Sequence, residues 1–536
     1  MSNSVLRQHW GFDGVIESDC GALSHIQDTH HYAADKVHAA AAAMNGTCDV
    51  ECDGVYSSSL LPAFAAGIVS KEQLANAARR ILRHRFSLGL FADPRDHPYF
   101  RGIYNVSGTV HSDLHARLAL EAAQQGVVVV QNPGGILPLS AAPAPTLGGS
   151  ATKFALIGPL GNITDPFLGD YRPAACPGPA ASAPKGTACK ATLLALLAKR
   201  VGSVVAFASG CVDPPCKTAP DMAAVGATMA AADVIILAVG EKTTDNDSEG
   251  NTGGEGRDRD TIGLPGSQAV LVAAAIATKK PVVVVILSGG SVSIDAVKGS
   301  PNVAVVYPGF GGESGEDAIV DVLFGDVPAT GRLPFTVYPE SWGEATAMKD
   351  MSFQAGQGRS YKYLRKDVEP LYEFGAGLAY TTFELAAAPG VPAADIAAAA
   401  GPVALGPSPS EVCVSVTNTG RTGSPVVVML FAAPVTLSDG PALVPNRKLI
   451  KFDKVAVAAS ATGKVCFGVT DSDVALVDDW TGTTIAYAGQ YNLVFYDGAS
   501  KVTVPATVAD QRTVGTVPAV DNPTPPCCSG TVRSCC

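Results

Sequence analysis

Positive charge is scarce in this 536-residue sequence, in which 38 Lys and Arg side chains stand against 49 Asp and Glu, a formal net charge of −11. Nucleic-acid binding depends on Lys and Arg contacts to phosphates, so this balance argues against a nucleic-acid partner. Charged residues make up only 16% of the chain, whereas 47% of it is hydrophobic. That composition indicates large buried cores and excludes a wholly disordered protein.

Long uninterrupted apolar runs are also missing. The longest apolar stretch, QAVLVAAAIATKKPVVVVILSGG, is broken by Lys279, Lys280 and Pro281. Each half is shorter than the roughly 20 residues that a spanning helix needs, so the sequence predicts no membrane span. The opening MSNSVLRQHW lacks the apolar centre of a signal peptide.

The thirteen cysteines lack the C-x-x-C pairs and His companions that are typical of structural metal sites. Most fall in local groups: Cys48 with Cys52, Cys176 with Cys189, Cys211 with Cys216, and four cysteines in the last ten residues. The spacings favour disulfides, which imply an oxidising compartment. Four N-x-S/T sequons are consistent with secretion, and they begin at Asn45, Asn105, Asn162 and Asn246.

The first part of the chain predicts a short strand followed by helices, over residues 1–90. Its clearest helix begins after Ser70, where Gln73 can complete a capping box, and stops before Gly89. Residues 91–125 form a predicted linker that leads into another helix.

Residues 126–340 alternate apolar strands with helices. Six runs are almost continuously apolar, which is typical of strands buried on both faces: GVVVVQN, KFALIGP, SVVAFASG, DVIILAVG, PVVVVILSGG and NVAVVYPG. Helical stretches at 219–232, 266–278 and 314–324 lie between several of them. The pattern predicts a mainly parallel sheet with helices on both sides, an α/β sandwich.

A connector at residues 341–385 precedes a region with a different pattern. Residues 386–510 contain runs in which apolar residues recur at the period of a strand: EVCVSVTN, VVVMLFAA, KVCFGVT and YNLVFYDG. This pattern predicts a β-sandwich. Residues 511–536 form a polar, Cys-containing tail.

Two short motifs suggest other functions, but both signals are weak. The glycine-rich YPGFGGESGED, residues 307–317, lacks the Lys-Ser or Lys-Thr of a P-loop and the G-x-G-x-x-G spacing. Four histidines lie between residues 25 and 38, but zinc needs three or four converging ligands. A tight turn and a polar surface explain these motifs better than a nucleotide or metal site.

Acidic residues give the stronger signal. In GFDGVIESDCGAL, residues 11–23, Asp19 follows a short apolar strand. A second acidic segment, from Glu241 to Gly266, follows the strand DVIILAVG. One acidic residue in a loop is usually only solvated, but glycoside hydrolysis needs two carboxyl groups, one on each side of the bond.

Several stretches together resemble glycoside hydrolase family 3, in its plant-type β-xylosidase branch. GFDGVIESDCGAL is similar to the family's nucleophile signature, and EGRDRDTIGLPGSQ resembles its acid/base loop. RRILRHRFSLGLFADP resembles the helix that ends its barrel domain. GGESGEDAIVDVLFGDVPATGRLPFTVYP and GRSYKYLRKDVEPLYEFGAGLAYTTF resemble the end of its second domain and the bridge to the third. The resemblance covers residues 5–500.

The resemblance implies three domains: the C-terminal part of a (β/α)8 barrel at 1–90, an α/β sandwich at 126–340, and a fibronectin type III-like domain at 386–510. It also implies a retaining mechanism, in which Asp19 is the nucleophile and Glu255 is the acid/base. Glu249 is the alternative acid/base, because this loop varies in length. The sequence departs from the plant pattern at Gly21, where an acid is usual, and at Glu17, where an apolar residue is usual.

The function implied is release of terminal β-linked sugars, with xylan-type oligosaccharides as the expected substrate and no cofactor or metal. The alternatives are a β-glucosidase or α-L-arabinofuranosidase of the same family, or an inactive fragment or carbohydrate-binding relative. An extracellular or cell-wall location is expected.

The length of the first domain gives one further expectation. A (β/α)8 barrel needs about 250 residues, and only about 90 precede the linker. We therefore expect an N-terminally truncated chain with exposed apolar helix faces and without hydrolytic activity of its own.

Overall fold

A computed structural model describes residues 2–97, 112–141, 151–163, 191–242, 259, 261–346, 350, 352–387, 401–478 and 482–516. The chain divides into two compact units. One comprises Met1–Ser112 with Thr516–Cys536, and the other Asp113–Gly515. Within the described ranges, no helix has both the length and the apolar character that crossing a bilayer requires.

The first unit is mainly helical. A π-helix at Ser2–His9 and a 3₁₀ turn at Pro94–Asp96 flank four α-helices: α1 (Ala22–Asp28), α2 (Lys36–Asn45), α3 (Val55–Ala65) and α4 (Lys71–Ser87). In the described part of this unit, the β pairing is one parallel bridge between Glu17 and Val50. The strand predicted before Asp19 is therefore reduced to a single bridge, which closes no sheet among these residues.

Helix α4 forms as its sequence predicts. The Ser70 hydroxyl accepts from the Gln73 amide at 3.2 Å, and the Gln73 side-chain oxygen accepts from the Ser70 amide at 2.8 Å. This reciprocal pair satisfies two amide groups that the helix itself leaves free. The helix ends at Ser87, and Gly89 follows with a φ of 73°, a backbone conformation that glycine adopts without strain.

Much apolar surface of this unit is exposed, as the sequence analysis expected. Helix α4 has one buried residue, Ala77, whereas Leu82, Phe86, Leu90 and Phe91 on and after it are exposed. Small cores form where α2 packs on α3 and α4 around Met44.

The second unit begins with a six-stranded sheet. Its strands are β1 (Val128–Gln131), β2 (Phe154–Ile157), β3 (Ala206–Ala208), β4 (Val234–Gly240), β5 (Val282–Leu287) and β6 (Val303–Tyr307), in the spatial order β1-β6-β5-β4-β2-β3. Strands β2 to β6 pair in parallel, and β1 pairs antiparallel to β6. The predicted, mainly parallel sheet is confirmed.

Helices cover both faces of this sheet. They are α5 (Asp113–Gly126), α6 (Leu193–Val201), α7 (Met222–Ala230), α8 (Gln268–Ala277) and α9 (Gly315–Leu323). Buried residues of α7 and α8 join the core on one face, and those of α5, α6 and α9 join the core on the other. Because side chains of one strand point alternately to the two faces, both cores draw on β4, through Ile235 and Ile236.

Two short helices, α10 (Glu340–Glu344) and α11 (Ser360–Tyr363), lead to a β-sandwich. Its strands are β7 (Phe383–Ala387), β8 (Val403–Leu405), β9 (Ser410–Asn418), β10 (Ser424–Leu437), β11 (Lys448–Val457), β12 (Thr462–Val469), β13 (Leu476–Val477), β14 (Thr484–Ala486), β15 (Gly489–Tyr496), β16 (Lys501–Val508) and β17 (Arg512–Gly515), with helix α12 (Asp471–Val474) after β12. The sheets run in the orders β11-β10-β15-β16-β8, β12-β9-β7 and β13-β14-β17. The β-sandwich prediction is confirmed, while the exact domain boundaries stay predictions.

Three disulfides lie in the described residues. Cys211–Cys216 is a pair that the sequence grouping predicted. The grouping of Cys48 with Cys52 is wrong, because Cys52 bonds to Cys20 and Cys48 is a free thiol. Cys413–Cys466 joins directly paired residues of β9 and β12 and was not predicted. Cys176, Cys189 and the four C-terminal cysteines lie outside the described residues.

Candidate active site

Asp19 lies in the turn that leads into α1, with its side chain exposed. Its Oδ1 accepts a hydrogen bond from the Cys20 amide at 3.0 Å, and its carbonyl oxygen accepts from the Ala22 amide at 3.2 Å. Among the described residues, no ion pair engages its carboxylate. The carboxylate is therefore open to an incoming ligand while its own backbone turn stays ordered.

The turn around Asp19 is held by a short stretch of chain, Asp49–Asp53, which we call the support segment. Before the turn, the Ser18 amide donates to the Val50 carbonyl at 2.9 Å. After the turn, Cys20 is bonded to Cys52, and the Ser24 amide donates to Asp53 Oδ2 at 2.8 Å. The support segment thus contacts the chain on both sides of Asp19.

Asp49 fixes the near end of the support segment. Its fully buried carboxylate forms ion pairs with the guanidinium groups of Arg7, at 2.6 Å, and Arg80, at 2.5 Å. It also accepts a hydrogen bond from the Ile16 amide at 3.0 Å. Arg80 comes from α4, so the carboxylate joins that helix to the chain before Asp19. A buried charge is stable only when it is paired and hydrogen-bonded in this way.

Glu51 and Asp53 organise the helix that follows the support segment. Glu51 accepts from the amides of Asp53, Gly54 and Tyr56, at 2.6, 2.8 and 3.0 Å. Partial burial raises the pKa of Asp53, but the Glu51 carboxyl and the Ser24 hydrogen bonds outweigh this and lower it to about 2. Asp53 therefore stays ionised near neutral pH and keeps its bond to the Ser24 amide.

The second acidic segment begins at the carboxyl end of β4. Glu241 is buried there, and its Oε1 lies 2.5 Å from Arg259 Nε. Arg259 also donates to the carbonyls of Gly263, at 3.3 Å, and Ser291, at 2.7 Å. Burial raises the pKa of Glu241, an effect that the Arg259 guanidinium and the Ser288 hydroxyl partly offset. Arg259 thus joins the ends of β4 and β5 to the turn before α8.

Of the three predicted site residues, the structure describes one. Asp19 lies exposed in the turn before α1. Glu255 and its alternative Glu249 lie outside the described residues. Sequence reasoning missed Asp49, Cys52 and Asp53 as partners of the turn around Asp19. The signal for Cys52 was an unassigned Cys20 beside Asp19, whereas no local pattern marked Asp49 as a buried charge.

Three protein-family models match the chain. The glycosyl hydrolase family 3 N-terminal domain matches residues 2–84, and the family 3 C-terminal domain matches residues 127–380. A fibronectin type III-like domain matches residues 426–499. These ranges contain the turn around Asp19, the α/β sandwich and part of the β-sandwich.

Curated relatives share most of this chain. A probable exo-1,4-β-xylosidase of Aspergillus flavus is 31% identical over 526 residues, which are 95% of this chain and 62% of the relative. Probable β-D-xylosidase 6 of Arabidopsis thaliana is 29% identical, over 92% of this chain and 62% of the relative. This chain therefore spans about three fifths of the length of the curated relatives it matches.

Solved structures share the fold. A family 3 exo-β-xylosidase in complex with a xylobiose aziridine activity-based probe superposes with a TM-score of 0.75 at 25% identity. The match covers 97% of this chain and 64% of that structure's chain. The arrangement of α/β sandwich and β-sandwich described above is thus one that is known from enzymes.

Proposed function

Because the chain belongs to glycosyl hydrolase family 3, we propose that the protein is an exo-acting, retaining β-xylosidase that removes terminal xylose from xylan-type oligosaccharides. Two curated relatives that match over more than nine tenths of this chain carry xylosidase names. The proposal concerns the whole protein, and it requires a nucleophile, an acid/base and no cofactor.

The observation that carries the proposal is the state of Asp19. A glycosidase nucleophile must present an ionised carboxylate to the anomeric carbon, free of competing cations. Asp19 is exposed, and the one described hydrogen bond of its carboxylate comes from the Cys20 amide. It also stands in the Ser-Asp pair of the signature that resembles the family's nucleophile.

The reaction follows from these roles. An Asp19 oxygen attacks the anomeric carbon, and the bond to the leaving-group oxygen breaks as the acid/base donates its proton to that oxygen. Water then attacks the glycosyl ester, and the acid/base carboxylate takes the water proton. The sugar leaves with its β configuration retained, and both carboxyl groups return to their starting states.

Turnover of three nitrophenyl glycosides tests the substrate. We expect the whole protein to hydrolyse the β-xyloside with a higher kcat/KM than the β-glucoside or the α-L-arabinofuranoside. Preference for either of the other two would replace the xylosidase proposal with the corresponding activity. No turnover of any of the three would favour the inactive-fragment or carbohydrate-binding alternative.

The acid/base assignment makes its own prediction. Glu255→Ala should lower the turnover of xylobiose, whose leaving group needs a proton, by about 10²-fold, and should affect an activated nitrophenyl xyloside much less. Azide should restore part of the activity, because it attacks the glycosyl ester without base assistance. Glu249→Ala is the matched control. If Glu249→Ala shows this behaviour and Glu255→Ala does not, the roles belong to Glu249.

We also propose an extracellular or cell-wall location and N-glycosylation. Three disulfides among the described residues favour an oxidising compartment. Asn45 and Asn162 are exposed at their sequons. A chain expressed in a secretory eukaryotic host should lose mass on treatment with a glycosidase that removes N-glycans, and Asn45→Gln should remove part of that loss. An unchanged mass would contradict the glycosylation proposal.

A further inference from the structure

We propose that the Cys20–Cys52 disulfide is a positioning element for Asp19, and that it makes the glycosidase sensitive to thiol reductants. The inference rests on the proposed role of Asp19 as nucleophile. It adds a redox dependence that does not follow from the two carboxyl groups themselves.

The disulfide is placed where it restrains the nucleophile most directly. It joins the residue next to Asp19 to the support segment and closes a loop across 32 positions of sequence. The other connections between this part of the chain and the support segment are hydrogen bonds, among them those from the Ser18 amide to Val50 and from the Ser24 amide to Asp53. The covalent link therefore attaches the residue directly after Asp19 to the support segment, and the amide that Asp19 accepts from belongs to Cys20 itself.

Exposure distinguishes this disulfide from the other two described ones. Both Cys20 and Cys52 are exposed. Each of the other two has one buried cysteine: Cys216 and Cys413 are each 1% exposed, although Cys466 is exposed and Cys211 is partly exposed. Thiol–disulfide exchange needs access to a sulfur atom, and in Cys20–Cys52 both cysteines are open to attack, so we expect an added thiol to open this disulfide most readily.

The added reductant supplies the electrons and protons that opening the Cys20–Cys52 disulfide requires. A dithiol such as dithiothreitol transfers two electrons and two protons, becomes a cyclic disulfide, and leaves Cys20 and Cys52 as thiols. The Asp19 turn then keeps only its hydrogen bonds to the support segment. Displacement of a reacting group by about 1 Å can cost as much as 10²-fold in rate, so loss of this restraint should slow nucleophilic attack.

The test compares two double variants of the whole protein. In Cys20→Ser/Cys52→Ser the positioning disulfide is absent, and replacing both partners prevents Cys48 from pairing with a remaining Cys52. Cys413→Ser/Cys466→Ser is the matched control, since it removes a disulfide from the β-sandwich. A xylose-configured aziridine, which alkylates a glycosidase nucleophile, reports the rate constant of covalent labelling separately from the dissociation constant of the initial complex.

We expect the Cys20/Cys52 variant to label at least tenfold more slowly at saturating aziridine, with an unchanged dissociation constant. Dithiothreitol should slow the wild-type chain to the same extent and should not affect the variant further. The control variant should label like wild type. Hydrogen exchange at the amides of residues 18–24 should accelerate in the Cys20/Cys52 variant alone.

Equal labelling rates for wild type and the Cys20/Cys52 variant would overturn the inference, as would unchanged exchange at residues 18–24. Failure of the proposed function looks different. In that case the oxidised wild-type chain would not be labelled, or Asp19→Asn would be labelled as fast as wild type. The exchange measurement would still decide whether the disulfide holds the Asp19 turn.

Discussion

In the whole protein, replacing Asp19 by Asn is expected to lower the turnover of nitrophenyl β-xyloside by several orders of magnitude. The amide cannot form the glycosyl ester, so the covalent route closes. The fold should be unaffected, because the side chain is exposed and an Asn oxygen can still accept from the Cys20 amide at the same place. The measurement is steady-state kinetics together with thermal unfolding of both proteins.

Glu17→Gln is the matched control for this experiment. Glu17 is also an exposed carboxylate and lies two residues before Asp19, beside Val50. If general loss of negative charge near the turn mattered, the two variants would lose activity together. We expect Glu17→Gln to keep most of the activity. Near-normal turnover by Asp19→Asn would remove Asp19 from the mechanism.

The sequence was sufficient to predict the α/β sandwich because its strands are buried on both faces. Strand β5 is apolar and buried at every position from Val282 to Leu287, so its composition permits few other structures. Strand β11 was missed for the opposite reason. Its KFDK stretch, residues 451–454, alternates little, and Phe452 is exposed. Strand identity there depends on pairing with β10, not on local composition.

The candidate site also contains residues that the sequence revealed and residues that it did not. Asp19 stood out because a specific motif surrounds it. The support segment did not, because its contacts are long-range. The Cys48 and Cys52 spacing suggested a local pair, whereas the backbone of the Glu17–Val50 bridge brings Cys52 to Cys20 instead. Only a known fold can show which of two allowed pairings the chain geometry selects.

Asp49 is the clearest case of a residue that sequence alone does not reveal. Its partners lie 42 and 31 residues away, at Arg7 and Arg80. A single Asp in a mixed segment is usually a surface residue. Its side chain is instead fully buried, while Arg7 and Arg80 are 9% and 17% exposed. The three charged groups form one ion-pair cluster, which connects α4, the π-helix at Ser2–His9 and the support segment.

We therefore expect Asp49→Asn to destabilise the first unit by about 3–5 kcal/mol, the usual cost of removing one partner from a buried ion pair. The amide keeps the volume and one acceptor, but it leaves two largely buried guanidinium groups without a counter-charge. Urea unfolding followed by Trp10 fluorescence, with Trp342 and Trp480 replaced by Phe in every sample, reports on this unit.

Two further variants decide whether the effect comes from unpaired charge. Asp13→Asn breaks the Asp13–Arg83 pair, whose side chains are 69% and 51% exposed, and should change unfolding little because exposed pairs are screened by water. Replacing all three charged residues together, with Asp49→Leu, Arg7→Met and Arg80→Met, should recover much of the stability that Asp49→Asn loses, because none of these three charges is then left buried. If the triple variant were less stable than Asp49→Asn, the hydrogen bond from Ile16 and the geometry of the ion-pair cluster would be the stabilising feature, and the unpaired arginines would not explain the loss.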